Sequence, residues 1–97
     1  GTIMALKDIT FNQVVEGKYV SGPIQVNQES IGLQLEFEKE STLWVYISYD
    51  GEKFQSVESR LCGKVFARPI VGLKKGQYIK LESTQQPLKA QYFESEE

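Results

Sequence analysis

The side chains able to do chemistry are thirteen carboxylates, eleven lysines and arginines, five tyrosines, scattered serines and Cys62; none of the 97 residues is a histidine. That absence removes the commonest general base, the commonest transition-metal ligand and the usual switch near neutral pH. Paired carboxylates could cleave a glycoside if two stood across a sugar with different environments. Glu36, Glu38 and Glu40 share one outer face by their spacing, which gives no such asymmetry and reads as solvation. Ser48 and Ser83 lack a histidine base. A serine–lysine pair stays formally open, but no glycine-flanked nucleophile supports it. Cys62 has no neighbour to activate it and reads as a packed or half-exposed thiol. A lone cysteine also forbids an intrachain disulfide and a cysteine zinc site. Asp8 and Asp50 are the only aspartates and show no calcium-loop spacing. The glycines sit singly at turns, so there is no phosphate loop. No enzyme, cofactor or metal is expected.

The aromatic residues carry more. One tryptophan, five tyrosines and five phenylalanines are a rich set for so short a chain. Tyrosine and tryptophan join a large apolar face to a polar tip, which suits protein interfaces and sugar platforms. Trp44, Tyr46, Tyr78 and Tyr92 are the candidates, with Arg60 and Arg68 as rim charges. The competing reading is that Trp44 and Tyr46 fill a second layer of the fold while the others cap its edges.

The elements that must position these residues are strands. Positions 31–38 alternate strictly, placing Ile31, Leu33, Leu35 and Phe37 on one face. Positions 42–49 put Leu43, Val45, Ile47 and Tyr49 on one side and Trp44, Tyr46 and Ser48 on the other. Such a strand is either covered on both faces or meets a partner. Asp50-Gly51 predicts a hairpin closed by a type I′ turn, followed by a return strand with Phe54 and Val57. A loop is expected at 59–63 and a strand at 64–71, with Pro69 marking an edge or bulge. Ile79 and Leu81 point inward in a strand over 77–82, and the last strand covers 88–93. Earlier, 9–15 and 18–26 read as two strands joined near Glu16-Gly17, the second bent at Gly22-Pro23. No window shows a helical stripe. About eight short strands with regular turn signals predict a single antiparallel β-sandwich or jelly roll.

A net charge of −2, with lysines spread between positions 7 and 89, provides no basic stripe for nucleic acid. The longest apolar run, Leu43-Trp44-Val45-Tyr46-Ile47, is too short to span a bilayer. Gly1-Thr2-Ile3 ahead of Met4 reads as a cloning remnant. The domain is expected over 4–93, with 94–97 as an acidic, frayed end. Nothing at the start reads as a signal peptide, which points to synthesis in a cytoplasm without export.

Two segments carry a resemblance. Ile47-Ser48-Tyr49-Asp50-Gly51-Glu52-Lys53-Phe54-Gln55-Ser56-Val57 is similar to a hairpin of small β-sandwich modules in which Ser-x-Asp-Gly closes a strand and an aromatic opens the return. Gly72-Leu73-Lys74-Lys75-Gly76-Gln77-Tyr78-Ile79-Lys80-Leu81 resembles the Gly-x-Tyr-Ile-Arg/Lys-Leu strand that follows it. Together they look like the small β-sandwich structural proteins of tailed bacteriophages: head decorations, fibres and tail accessories. They also resemble discoidin-like carbohydrate-binding sandwiches, which are longer and often have terminal cysteines. The phage resemblance implies a virion component, a homo-oligomer that is often a trimer, docking on itself or on other virion proteins. The discoidin resemblance implies a carbohydrate-binding module with an aromatic sugar platform.

Overall fold

The computed structural model describes residues 3–96, with side chains over 6–94. It is all β, with ten strands: β1 Ile3–Asp8, β2 Phe11–Val15, β3 Lys18–Ser21, β4 Ile24–Gln25, β5 Ser30–Phe37, β6 Ser41–Ser48, β7 Gln55–Cys62, β8 Val65–Val71, β9 Tyr78–Ser83 and β10 Pro87–Glu96. One sheet has the order β1-β10-β5-β8. The other runs β2-β3-β9-β6-β7, with the short β4 also pairing β9. All pairings are antiparallel. The pairs β6·β7, β5·β8, β3·β9 and β1·β10 nest one inside the next. This is one long hairpin folded over on itself, the jelly-roll arrangement.

The alternation in β5 holds: Ile31, Leu33, Leu35 and Phe37 are buried. They meet Leu43 and Val45 of β6 and Ile79 and Leu81 of β9 from the opposite sheet, forming one core with Phe66, Ile70, Ala90 and Tyr92. Pro69 does lie on an edge strand, β8, where its missing N–H costs no ladder bond. The bend at Gly22-Pro23 separates β3 from β4 and leaves a gap beside β9. Ser21 fills it: its buried hydroxyl accepts from the Leu81 N–H at 2.9 Å and donates to the Gly22 carbonyl. A buried amide is thereby kept paired.

Several expectations need correction. The first strand, β1, is absent from the sequence reading, because no glycine or proline separates it from β2. The type I′ signature lies at Glu16-Gly17, with φ of 52° and 79°, whereas at Asp50-Gly51 only Gly51 is positive. Strand β6 ends at Ser48 and β7 begins at Gln55, so a longer loop does not need that tight turn. The expected loop at 59–63 is strand as far as Cys62, and the chain then changes sheet through Gly63-Lys64 alone. Glu38 and Glu40 fall in the turn after β5 and are not on its outer face with Glu36. Tyr49, expected inward, is exposed. Strand β10 continues to Glu96 where a frayed end is expected, and the buried Glu94 accepts the Asn27 N–H at 2.7 Å. Ile3, counted with the remnant, opens β1, while Gly1, Thr2 and Glu97 lie outside the described residues.

Candidate interaction surfaces

The outer face of the β2-β3-β9-β6-β7 sheet holds three of the four aromatic candidates. Cross-strand register sets Trp44 opposite Glu82, Tyr46 opposite Lys80 and Ser48 opposite Tyr78. Both faces of this strand carry large side chains, and on the outer one Trp44 and Tyr46 stay half-buried with lysines of the same chain over their rings. The Lys18 ammonium lies 4.5 Å from the Trp44 ring centroid. Lys80 lies 5.4 Å from the Tyr46 ring and 4.6 Å from that of Phe54. Each such contact contributes about 0.5–1 kcal/mol at an exposed site. The Tyr46 hydroxyl donates to Glu82 at 3.2 Å. Burial, then the Glu82 charge and that hydrogen bond, push the Tyr46 hydroxyl above its ordinary pKa. Tyr78 is half-buried and packs over Gly51.

The other candidates are elsewhere. Tyr92 is a core residue on the inner side of β10, opposite Leu33. It is not part of an exposed platform, because the alternation of β10 turns Phe93 outward in its place. Arg60 and Arg68 do not border the aromatics. They project inward from the edge strands β7 and β8, where the sandwich opens, and converge on Glu58 at 3.9 and 3.5 Å. Cys62 is buried, and its thiol lies 3.1 Å from the Ser41 carbonyl. Burial pushes that thiol up, away from the reactive thiolate. Among the described residues no group of three or more metal-ligating side chains is assembled, and no helix is long and apolar enough to cross a membrane.

The loop after β6 is organised by Asp50. Its Oδ1 accepts from the Glu52 and Lys53 amides at 2.8 and 2.9 Å and from the Ser48 hydroxyl at 2.9 Å, while Ser48 Oγ accepts from the Gly51 amide. The Lys53 amide first, then that of Glu52 and the Ser48 hydroxyl, hold the Asp50 carboxyl below its ordinary range. A depressed folded-state pKa means that the loop's order is complete above the ordinary aspartate range and is lost as pH falls through the depressed value. An NMR titration should place the Asp50 midpoint below that of an unstructured aspartate, with the Glu52 and Lys53 amides following it. A midpoint at the unstructured value would contradict the network.

The open surface is on the opposite side of the molecule. On the outer face of the β1-β10-β5-β8 sheet, register aligns Leu6, Phe93, Gly32 and Pro69 in one row across all four strands. The Phe93 ring lies directly on Gly32, so close that any Cβ there would collide with it. The ring covers backbone that a side chain would otherwise shield. Beside this row, β8 turns Val65, Ala67, Pro69 and Val71 outward. Val65, Val71 and Leu6 are 62%, 70% and 57% exposed. A groove of about 400 Å³ runs between Phe93 and Pro69, floored by Gly32 and flanked by Ser30, Gln34 and Ala67. Asp8, Gln91, Gln34, Glu36 and Lys89 occupy the neighbouring rows. The sequence did hold a signal for this surface. Glycine at an outward position of a strict strand marks a close approach, and 65–71 is apolar on the face that an edge strand would keep polar. Comparison with protein-family models, curated proteins and solved structures finds no match.

Proposed function

We propose that this domain is a non-catalytic structural or assembly protein that associates with copies of itself through the apolar row on the β1-β10-β5-β8 sheet. The observation that carries the reading is that row: Leu6, Phe93 and Pro69 in register, with Val65, Ala67 and Val71 beside them on a face that an isolated sandwich would keep polar. Two such sheets pack face to face at about 10 Å. The rim holds acidic and basic residues, Asp8 and Glu36 against Lys89, so a self-complementary contact can set opposite charges together. A two-fold dimer is the commonest closed solution. The trimer implied by the phage resemblance is the other closed outcome.

The setting proposed for this assembly is the virion of a tailed bacteriophage, as a head decoration, fibre or tail accessory. That setting rests on the resemblance of 47–57 and 72–81, and it accords with the use of jelly rolls in viral capsids. The same fold serves lectins, so the surface chemistry has to decide. The faces of Trp44 and Tyr46, which a sugar would need, are approached by Lys18 and Lys80.

Light scattering over a wide concentration range, paired with Trp44 fluorescence titrated with oligosaccharides, tests the reading. Mass above that of the monomer, with flat titrations, is expected. A strictly monomeric chain, or saturable sugar quenching, would overturn it.

A further inference from the structure

Apart from the two-residue β4, the two sheets end, among the described residues, in four outer edges, and three of them carry the usual guards against edge-to-edge pairing. Strand β1 has Lys7 and Asp8. Strand β7 has Glu58, Arg60 and a bulge opposite Val45-Tyr46. Strand β8 has Arg68 and Pro69. The fourth, β2, reads Phe11-Asn12-Gln13-Val14-Val15, with neither charge nor proline; its one irregularity, a bulge between Phe11 and Gln13, lies at the end away from the turn and leaves 13–15 regular. Among the described residues it pairs only with β3. Every residue over 12–17 is exposed, and Val14 and Val15, on opposite faces of the hairpin, are 64% and 51% exposed. The hairpin is thus an arm standing off the sandwich, with its turn fixed by the positive φ of Glu16 and Gly17.

We infer that the free edge of β2 pairs antiparallel with β2 of a second copy, joining two β2-β3-β9-β6-β7 sheets into one continuous sheet. In a two-residue hairpin Val15 and Lys18 face each other as the bonded pair beside the turn. Alternation of the ladder then directs the N–H and C=O of Val14 outward. A two-fold axis at Val14 lets the two Val14 residues exchange both bonds, with Gln13 opposite Val15 on either side and the bulge at Asn12 ending the run. No like charges oppose each other in that register. One face of the joined arm then sets Val14 against Val14, and the other sets Val15 against Gln13. The edge is short and the contact weak on its own, so it adds to an assembly that the apolar row has already concentrated. The inference stands on a different strand and a different sheet from that row. With both contacts present the chain builds extended arrays; with either one alone it stops at a closed oligomer.

Sedimentation of four chains tests this: the unmodified protein, Val14→Lys, the Val65→Glu/Val71→Glu pair, and all three changes together. The unmodified chain should grow in mass with concentration beyond the discrete oligomer. Val14→Lys should stop at that oligomer, the glutamate pair should reach an edge-joined dimer only at the highest concentrations, and the triple variant should stay monomeric throughout. Circular dichroism checks that each is folded. Hydrogen exchange on the unmodified chain needs no substitution: the Val14 amide should be unprotected when dilute and become protected on assembly. A mass curve for Val14→Lys identical to that of the unmodified chain, or a Val14 amide that stays unprotected in the assembled state, would overturn the inference. Loss of growth in the glutamate pair alone would instead place all association on the apolar row.

Discussion

Glutamates at Val65 and Val71 should weaken association through the apolar row at least a hundredfold while leaving the fold intact. Both valines lie on the outward face of the edge strand β8, at 62% and 70% exposure, and neither belongs to the core. Substitutions at such positions usually change stability by less than about 0.5 kcal/mol. Within a self-associated pair the same side chains would bring four carboxylates into an apolar contact, close to the Glu36 that already pairs in register with Val65. A hundredfold loss corresponds to about 3 kcal/mol, a modest demand for charges desolvated without partners. Sedimentation reads the mass and thermal denaturation reads the fold. An unchanged mass would remove the row as the interface. Trp44→Ala is the matched control, since that ring is on the opposite sheet and its loss should leave the mass unaltered.

Leu81→Ala should produce the largest loss of stability. Leu81 is fully buried at the centre of β9, flanked by β6 on one side and by the Ser21 plug on the other. Removing a buried leucine costs about 2–5 kcal/mol, depending on how far the cavity collapses. For a domain of this size that corresponds to a fall of roughly 10–25 °C in Tm. Against a total stability of about 5–15 kcal/mol, the variant would be folded only marginally. Trp44→Ala should cost less, about 1–2 kcal/mol, because Trp44 is half-exposed and loses mainly its contact with Lys18. Calorimetry on the two variants ranks them directly. If Trp44→Ala proved as damaging as Leu81→Ala, the outer layer would have to be counted as a second core.

What could be read in the sequence divides along physical lines. The inward sets of β5, β6 and β9 were legible because burial on one face imposes a period of two on nearby residues. Pro69 announced its edge because proline lacks a donor. The surface was harder. Trp44 and Tyr46 are adjacent in the sequence pattern and adjacent in the fold, but the lysines that cover them come from β3 and β9, which no local window reveals. Tyr92 and Phe93 differ by one position, and the phase of β10 decides which is core; its register shift between Pro87 and Lys89 hides that phase. Phe93 and Gly32 are a pair only through the β5·β10 ladder. Arg60, Arg68 and Glu58 meet because the chain changes sheet at Gly63-Lys64, which a composition-based reading takes for an ordinary loop.

The nested pairing also sets an order of events. The β6·β7 pair closes over the short loop organised by Asp50, and each later pair, β5·β8, β3·β9 and β1·β10, closes over a longer stretch of chain. Loop-closure entropy therefore favours zipping outward from that loop, and such non-local pairing places folding in the millisecond-to-second range. Of the ten strands β1 leaves the ribosome before the others, yet β10, its partner among the described residues, follows all of them. Until β10 emerges, Ile3–Asp8 is a strand without a sheet. The step that completes the domain is the capture of its oldest segment by its newest.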